Sequence, residues 1–197
     1  MRRTRLSRAW TLLPALFLAG AAGAETGLNA AEFLKSGAGA RAFAMGGAYT
    51  ALADDALAPA WNPAGLAALF QDQAAFSYDG GIGGIYRTYV SFAQKLHPST
   101  RTVVAAGANY VNYGKMEETD DTGVITGSSF WVQQLAVSVS AAKKIFTRFS
   151  AGATFKGIIE QFQDEKPFAF ALDAGAIYAP WDFLRLGASV MNAGTNL

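Results

Sequence analysis

The chain has 197 residues, enough for one domain with a sizeable core, and no cysteine, which excludes disulfides and thiolate metal sites. Its 16 basic and 15 acidic side chains nearly cancel, and only 16% of residues are charged against 51% hydrophobic. A soluble domain carries about 25% charged residues, so here either much surface is buried or some of it faces lipid.

Arg2, Arg3, Arg5 and Arg8 precede an apolar run from Trp10 to Leu18, and small residues end in Ala22-Gly23-Ala24. This order reads as a secretory signal peptide over residues 1–24 with an A-x-A cleavage site. A membrane anchor is the alternative. The run falls short of the ~20 residues that a spanning helix needs, and Pro14 interrupts it. Cleavage removes four arginines and no acid, leaving 12 basic against 15 acidic side chains, a net −3. A mildly acidic exported chain is a poor candidate for binding nucleic acid.

Residues 25–70 form a second unit. Asn29 is placed to cap a short helix with Glu32 three residues on, and Gly37 to close it. Gly37-Ala-Gly-Ala-Arg-Ala42 has the outline of a dinucleotide loop. Such a loop needs a strand before its first glycine, and here a helix stands there. The acid expected about 20 residues on is also misplaced, since Asp54 and Asp55 come early and no βαβ unit follows. The segment reads instead as compact structure built from small residues. Gly46, Gly47, Ala48 and Ala51 allow close backbone approach. Asp54 or Asp55 can cap one turn, and Asn62 followed by Pro63 reads as the N-cap and first position of another, through Leu69. No third or fourth ligand stands at useful spacing beside the acidic pair, so no metal or other cofactor is expected.

After Gln71 the apolar residues alternate. Phe149, Ala151, Ala153 and Phe155 oppose Arg148, Ser150, Gly152, Thr154 and Lys156. Val137 and Val139 oppose Ser138 and Ser140, while Tyr86, Val90 and Phe92 oppose Arg87, Tyr89 and Ser91. Leu186, Ala188 and Val190 oppose Arg185, Gly187 and Ser189. Period two with one apolar face means strands, expected at 72–79, 84–96, 101–113, 129–142, 148–160, 167–179 and 182–192. Asp173 lies opposite Phe168, Phe170 and Leu172, on the face where it can pair with an inward Arg or Lys.

A soluble sandwich would alternate too. Two features favour a transmembrane antiparallel β-barrel. The connections alternate between tight (97–100, 143–147, 179–182) and longer, acidic ones (113–129, 160–167), as in barrels with short periplasmic turns and longer outer loops. Aromatics also gather at both ends. Phe146, Phe149, Tyr178, Trp181 and Phe183 lie by the short turns. Tyr110, Tyr113, Phe130, Trp131, Phe162 and Phe168 lie by the long loops, giving two girdles. Seven strands leave an unpaired edge in lipid, so residues 71–197 are expected to be the first half of a larger barrel. An oligomeric barrel is the alternative.

Phe33 to Ala67 resembles the N-terminal signature of the PorV/PorQ family of outer-membrane proteins, which is similar to the FadL long-chain fatty-acid transporters. Both groups carry an Asn-Pro-Ala element, matched here by Asn62, Pro63 and Ala64. The match covers about a sixth of the chain, and beyond it only the rhythm of strand, turn and loop is alike. The resemblance implies a fourteen-stranded, FadL-like barrel in the bacterial outer membrane with a small N-terminal helical plug in its lumen. Gly46, Gly47, Asp54, Asp55, Asn62, Pro63 and Ala64 would form the plug motif. Arg148, Lys156, Asp173 and Arg185 would face the lumen. Two functions follow as expectations: a plugged channel for hydrophobic small molecules, or a PorV-like component of type IX secretion that binds cargo proteins at the cell surface. A soluble lipid-binding β-barrel of the periplasm is a third. No catalytic group is expected, because the lone histidine, His97, sits on a tight turn without a serine and carboxylate partner.

Overall fold

The computed structural model describes residues 31–97, 100–119, 123–162 and 167–195, so the expected leader at 1–24 and the expected cap Asn29 lie outside the described residues. One antiparallel sheet contains seven strands in chain order: β1 (Gln73–Gly80), β2 (Tyr86–His97), β3 (Thr102–Thr119), β4 (Ile125–Phe146), β5 (Phe149–Phe162), β6 (Phe168–Trp181) and β7 (Leu184–Gly194). The all-β class and the seven expected strands are present. Within this sheet β1 and β7 are the edges, each bonded to one neighbour.

The hairpins run longer than the alternation indicates. Most of the loop expected at 113–129 is strand, with Lys115 opposite Trp131, Glu117 opposite Ser129 and Thr119 opposite Ile125. Polar side chains hid this extension, because the ladder is made by backbone groups that pair whatever the side chain. At the other end Lys143 to Phe146 also belong to β4, which shrinks the turn to Thr147-Arg148.

One face of the sheet leaves its large apolar side chains exposed, and the other is covered and of mixed polarity. Phe76 (68% exposed), Val90, Phe92, Val137, Val139 (64%), Phe155, Phe170, Leu172 and Val190 (67%) lie on the outward face. The covered face mixes Ser77, Ser91, Asn109, Ser140, Thr154, Lys156 and Asp173 with Tyr89, Val103, Val111, Ile158 and Ile177, all buried. A soluble antiparallel sheet buries its apolar face and wets its polar one.

Residues 31–72 lie on the covered face. They hold 3-10 turns at Glu32–Ser36, Ala58–Ala60 and Pro63–Ala68, and one short helix, α1 (Ala40–Ala44). Ala31, in left-handed conformation, occupies the N-cap of the first turn without a side-chain bond, and Gly37 (φ 65°) closes that turn. Gly46 and Gly47 serve a different purpose from the close approach expected of them. A Cβ on Gly46 would meet nothing within 4 Å, and one on Gly47 only Trp61 at 3.6 Å. Their φ values of 64° and 80° require glycine for the left-handed backbone itself. Close approach occurs instead at Gly65, whose α-carbon lies against the Ala53 backbone, and at Ala51 against β7.

Two apolar clusters join the segment to the sheet. One packs Tyr49, Ala53, Leu66 and Leu69 with Ala93, Val103, Ala105 and Ala142 of β2, β3 and β4. The other packs Phe33 and Leu34 with Val111, Ala136, Ile158, Ala169 and Ala171 of β3 to β6. Hydrogen bonds add the first edge, where Gly39 N donates to Ser77 Oγ of β1 at 3.2 Å. Ala51 against Gly187 adds the last. One segment thus touches all seven strands on one face.

Candidate functional site

The contact between segment and sheet centres on Asn62 and Pro63. Asn62 is fully buried, and its side chain uses both ends. Oδ1 accepts from Ala64 N at 3.1 Å, which caps the turn Pro63–Ala68 with proline at its first position. Nδ2 donates to Thr50 O at 2.9 Å within the segment and reaches Ala176 O of β6 at 3.2 Å and Ala188 O of β7 at 3.4 Å. One amide therefore caps a turn, ties that turn to the preceding loop, and anchors both to the sheet. The cap role of Asn62 and the N1 role of Pro63 are as expected, and Ala64, the next residue of that element, is buried beside them.

The sheet receives this turn in a glycine trough that the sequence reading missed. Gly152 and Gly175 stand opposite each other on β5 and β6, and Gly187 lies on β7 opposite Ile177. A Cβ on Gly152 would come 2.6 Å from the Pro63 carbonyl carbon, and one on Gly187 would come 2.6 Å from Ala51 Cα. A Cβ on Gly175 would collide with Asn62 Oδ1. The available signal was three glycines on the inward positions of successive strands, where glycine otherwise weakens a strand.

A polar network stiffens the rest of the segment. Arg41 donates to Asp54 Oδ1 at 2.7 Å and to the Tyr49 hydroxyl at 3.1 Å. That hydroxyl donates to Asp55 Oδ2 at 2.9 Å, while Asp55 Oδ1 accepts from Leu57 N at 2.9 Å. Asp55 is therefore the turn-capping member of the acidic pair, and Asp54 is the ion-pair member. Burial, together with the bond to Asp55, pushes the Tyr49 hydroxyl up to about 12. The bond and charge of Asp54 raise Arg41 further above its ordinary value. Trp61 locks the loop by donating from Nε1 to Ala38 O at 2.7 Å and meeting Tyr49 and Phe43 edge-on.

The expected lumen residues separate into two places. Lys156 and Asp173 meet in the buried interior, with Nζ 2.8 Å from Oδ2. Lys156 also donates to Asn192 Oδ1 at 2.6 Å, and Asn192 N donates to Asp173 Oδ1 at 2.7 Å. Asn192 takes a left-handed conformation (φ 58°) at an irregularity in the β6–β7 register, and this bulge brings both of its polar groups to the pair. Asp173 Oδ2 has no bond of hydrogen-bonding geometry, so its charge is met by proximity to Nζ alone. Arg148 and Arg185 instead line a cleft at the short-turn end, and Arg148 donates to Pro180 O.

Bonds from the sheet to the segment come from residues the sequence did not single out. Ser91 Oγ donates to Ala56 O, and Glu160 Oε1 accepts from Ala31 N at 3.0 Å. Of the expected girdle aromatics, Phe146 packs beside Phe149 and Trp181 stacks on Phe183 at the short-turn end. Tyr113 departs from its girdle. It packs inward on the Phe33–Leu34 cluster and donates to Gln134 Oε1 at 2.8 Å, because the register of β3 puts residue 113 on the covered face.

Among the described residues no group of three or more His, Asp or Glu is arranged to hold a metal, and no helix is long and apolar enough to cross a membrane. Comparison of the chain with family models, with curated proteins and with solved structures finds no match in any of the three.

Proposed function

We propose that the chain forms the wall and internal plug of a transmembrane β-barrel in the bacterial outer membrane, acting as a plugged channel for hydrophobic small molecules. The observation that carries this reading is the exposed apolar face. Large apolar side chains stand on the uncovered face of the sheet, while the face that holds the N-terminal segment also buries serines, asparagines and an ion pair among its apolar residues. Lipid is the solvent that accepts such an outer face, and a barrel wall alternates apolar-out and polar-in. Residues 31–70 then act as the plug, docked by Asn62 and Pro63 into the glycine trough. This agrees with the resemblance of Phe33–Ala67 to the PorV/PorQ and FadL-like proteins. Passage requires the segment to shift, because it lies against every strand on the inner face.

The test has two stages. Carbonate extraction of membranes and heat-modifiable migration on gels check the barrel, and a soluble periplasmic product sinks it. Uptake of a labelled fatty acid into liposomes, with and without residues 31–70, then checks the channel. Uptake no different from empty liposomes sinks the transport reading while leaving the barrel standing.

A second reading, PorV-like handling of secreted cargo protein, is favoured by the β3–β4 hairpin. It runs on to Thr119 and Ile125 and exposes Met116, Val124 and Ile125 beside Glu117. A strand hairpin with exposed apolar and acidic residues suits a partner protein better than a solvated loop does. Pull-down from cells carrying a deletion of 115–129 decides it, since unchanged secreted partners would exclude this role.

A further inference from the structure

A cleft of about 620 Å³ opens at the short-turn end, between the end of the N-terminal segment and the inner face of the sheet. Five cations line it, each from a different place in the chain: Lys95 of β2, Arg101 of the β2–β3 connection, Lys144 of β4, Arg148 of the β4–β5 turn and Arg185 of β7. The one carboxylate in the lining is Asp54, and Arg41 already holds it at 2.7 Å. None of the five cations makes a salt bridge among the described residues. Lys95 Nζ donates to Phe70 O and Arg148 to Pro180 O, so two of them are steered into place by backbone carbonyls. The floor is apolar, with Leu69, Val103 and Ile177 buried beneath the charges. The opposite end of the sheet instead mixes the two signs, with Asp79 paired to Arg87 at 3.1 Å and Lys115 on β3 two residues before Glu117.

Like charges that converge on one concave site raise one another's energy, and low-dielectric walls focus their field on whatever enters. The partner that relieves this is an anion. We propose that this cleft is a binding site for a carboxylate or phosphate group, carried by an acyl amphiphile or free in solution. The cations meet the oxyanion, and the apolar floor accepts the first methylenes where an acyl chain is attached. The site belongs to the folded chain itself and does not depend on membrane insertion or on transport.

The test is calorimetric titration of the folded full chain, in neutral detergent or in buffer according to where it is soluble, with laurate and with inorganic phosphate as separate probes. Binding of one or both is expected, weakening as salt rises because exposed charges are screened. Lys144→Gln with Arg185→Gln should weaken it about tenfold or more, since neither side chain holds another part of the structure and each removes one attractive charge. Each single variant should fall between, and Lys35→Gln, at the far side of the segment, should bind as the wild type does. Laurate alone binding assigns the site to an amphiphile headgroup, and phosphate binding equally well assigns it to a free oxyanion. No binding of either up to about 10 mM, or a folded double variant that binds as tightly as the wild type, would overturn the proposal. Failure of the uptake experiment would leave it untouched.

Discussion

The Asn62 side-chain oxygen occupies the space that a Cβ at position 175 would fill, so Asn62 of the N-terminal segment and Gly175 of β6 define each other. The same oxygen caps the turn that begins at Pro63, and the amide nitrogen beside it reaches carbonyls on β6 and β7. Replacing Asn62 with Ala leaves the Ala64 amide and several carbonyls without this partner. A buried group left unsatisfied costs about 1–3 kcal/mol, and a lost N-cap about 1 kcal/mol. Asn62→Ala should therefore loosen the segment, read as faster limited proteolysis within residues 31–72 while the sheet stays protected.

Gly175→Ala and Gly152→Ala should each destabilise the docked segment by about 1–3 kcal/mol through overpacking. Gly157→Ala serves as the control. It lies on β5 as well, but a Cβ there meets its neighbours no closer than 3.7 Å. Thermal unfolding of the three variants checks this, and equal shifts for all three would remove the trough from the account.

Lys156 and Asp173 are both buried, so breaking the pair differs from replacing it. Lys156→Met leaves an uncompensated carboxylate and should cost about 3–5 kcal/mol, whereas Lys156→Met with Asp173→Leu should recover most of that. A double-mutant cycle on chemical unfolding measures the coupling. Additive losses would mean that the two charges do not interact.

Val139 sits in the middle of the outward face of β4, opposite Ala106 and Phe155. If that face meets lipid, Val139→Arg should cost about 2–4 kcal/mol at the midplane of a bilayer. If the face meets water, the same change should be neutral. Folding yield into vesicles and the unfolding midpoint separate the two.

Tyr49 supplies the pH dependence. Its pKa in the folded protein is raised, to about 12, from the ordinary tyrosine value of about 10. A raised pKa means that the neutral hydroxyl is favoured by folding. Its contribution is complete below about pH 10 and is lost as pH climbs through the folded value. Docking of the segment should weaken over that alkaline window. Tyr49→Phe should show less of this alkaline loss, because the titrating group is gone. Protease sensitivity measured across the window checks it.

The alternation of side chains determined the strands, their order of appearance and the faces that Val137, Phe155, Lys156 and Asp173 take, because a strand turns its side chains over every residue. The Asn62-Pro63 pair likewise specified its own turn, since the cap and the fixed φ of proline are local effects. The extent of the β3–β4 hairpin was hidden, because its ladder depends on backbone pairing that polar side chains do not advertise. Local sequence also gave the wrong reason for Gly46 and Gly47, whose backbone angles and not their neighbours require glycine. What only the tertiary structure decided is which distant residues meet: Asn62 with Gly175, Ala51 with Gly187, Lys156 with Asp173 and Asn192, and five scattered cations around one cleft. These contacts join residues far apart in the chain through the registers of successive strands. Periodicity fixes a side chain's face but carries no information about what arrives to cover it.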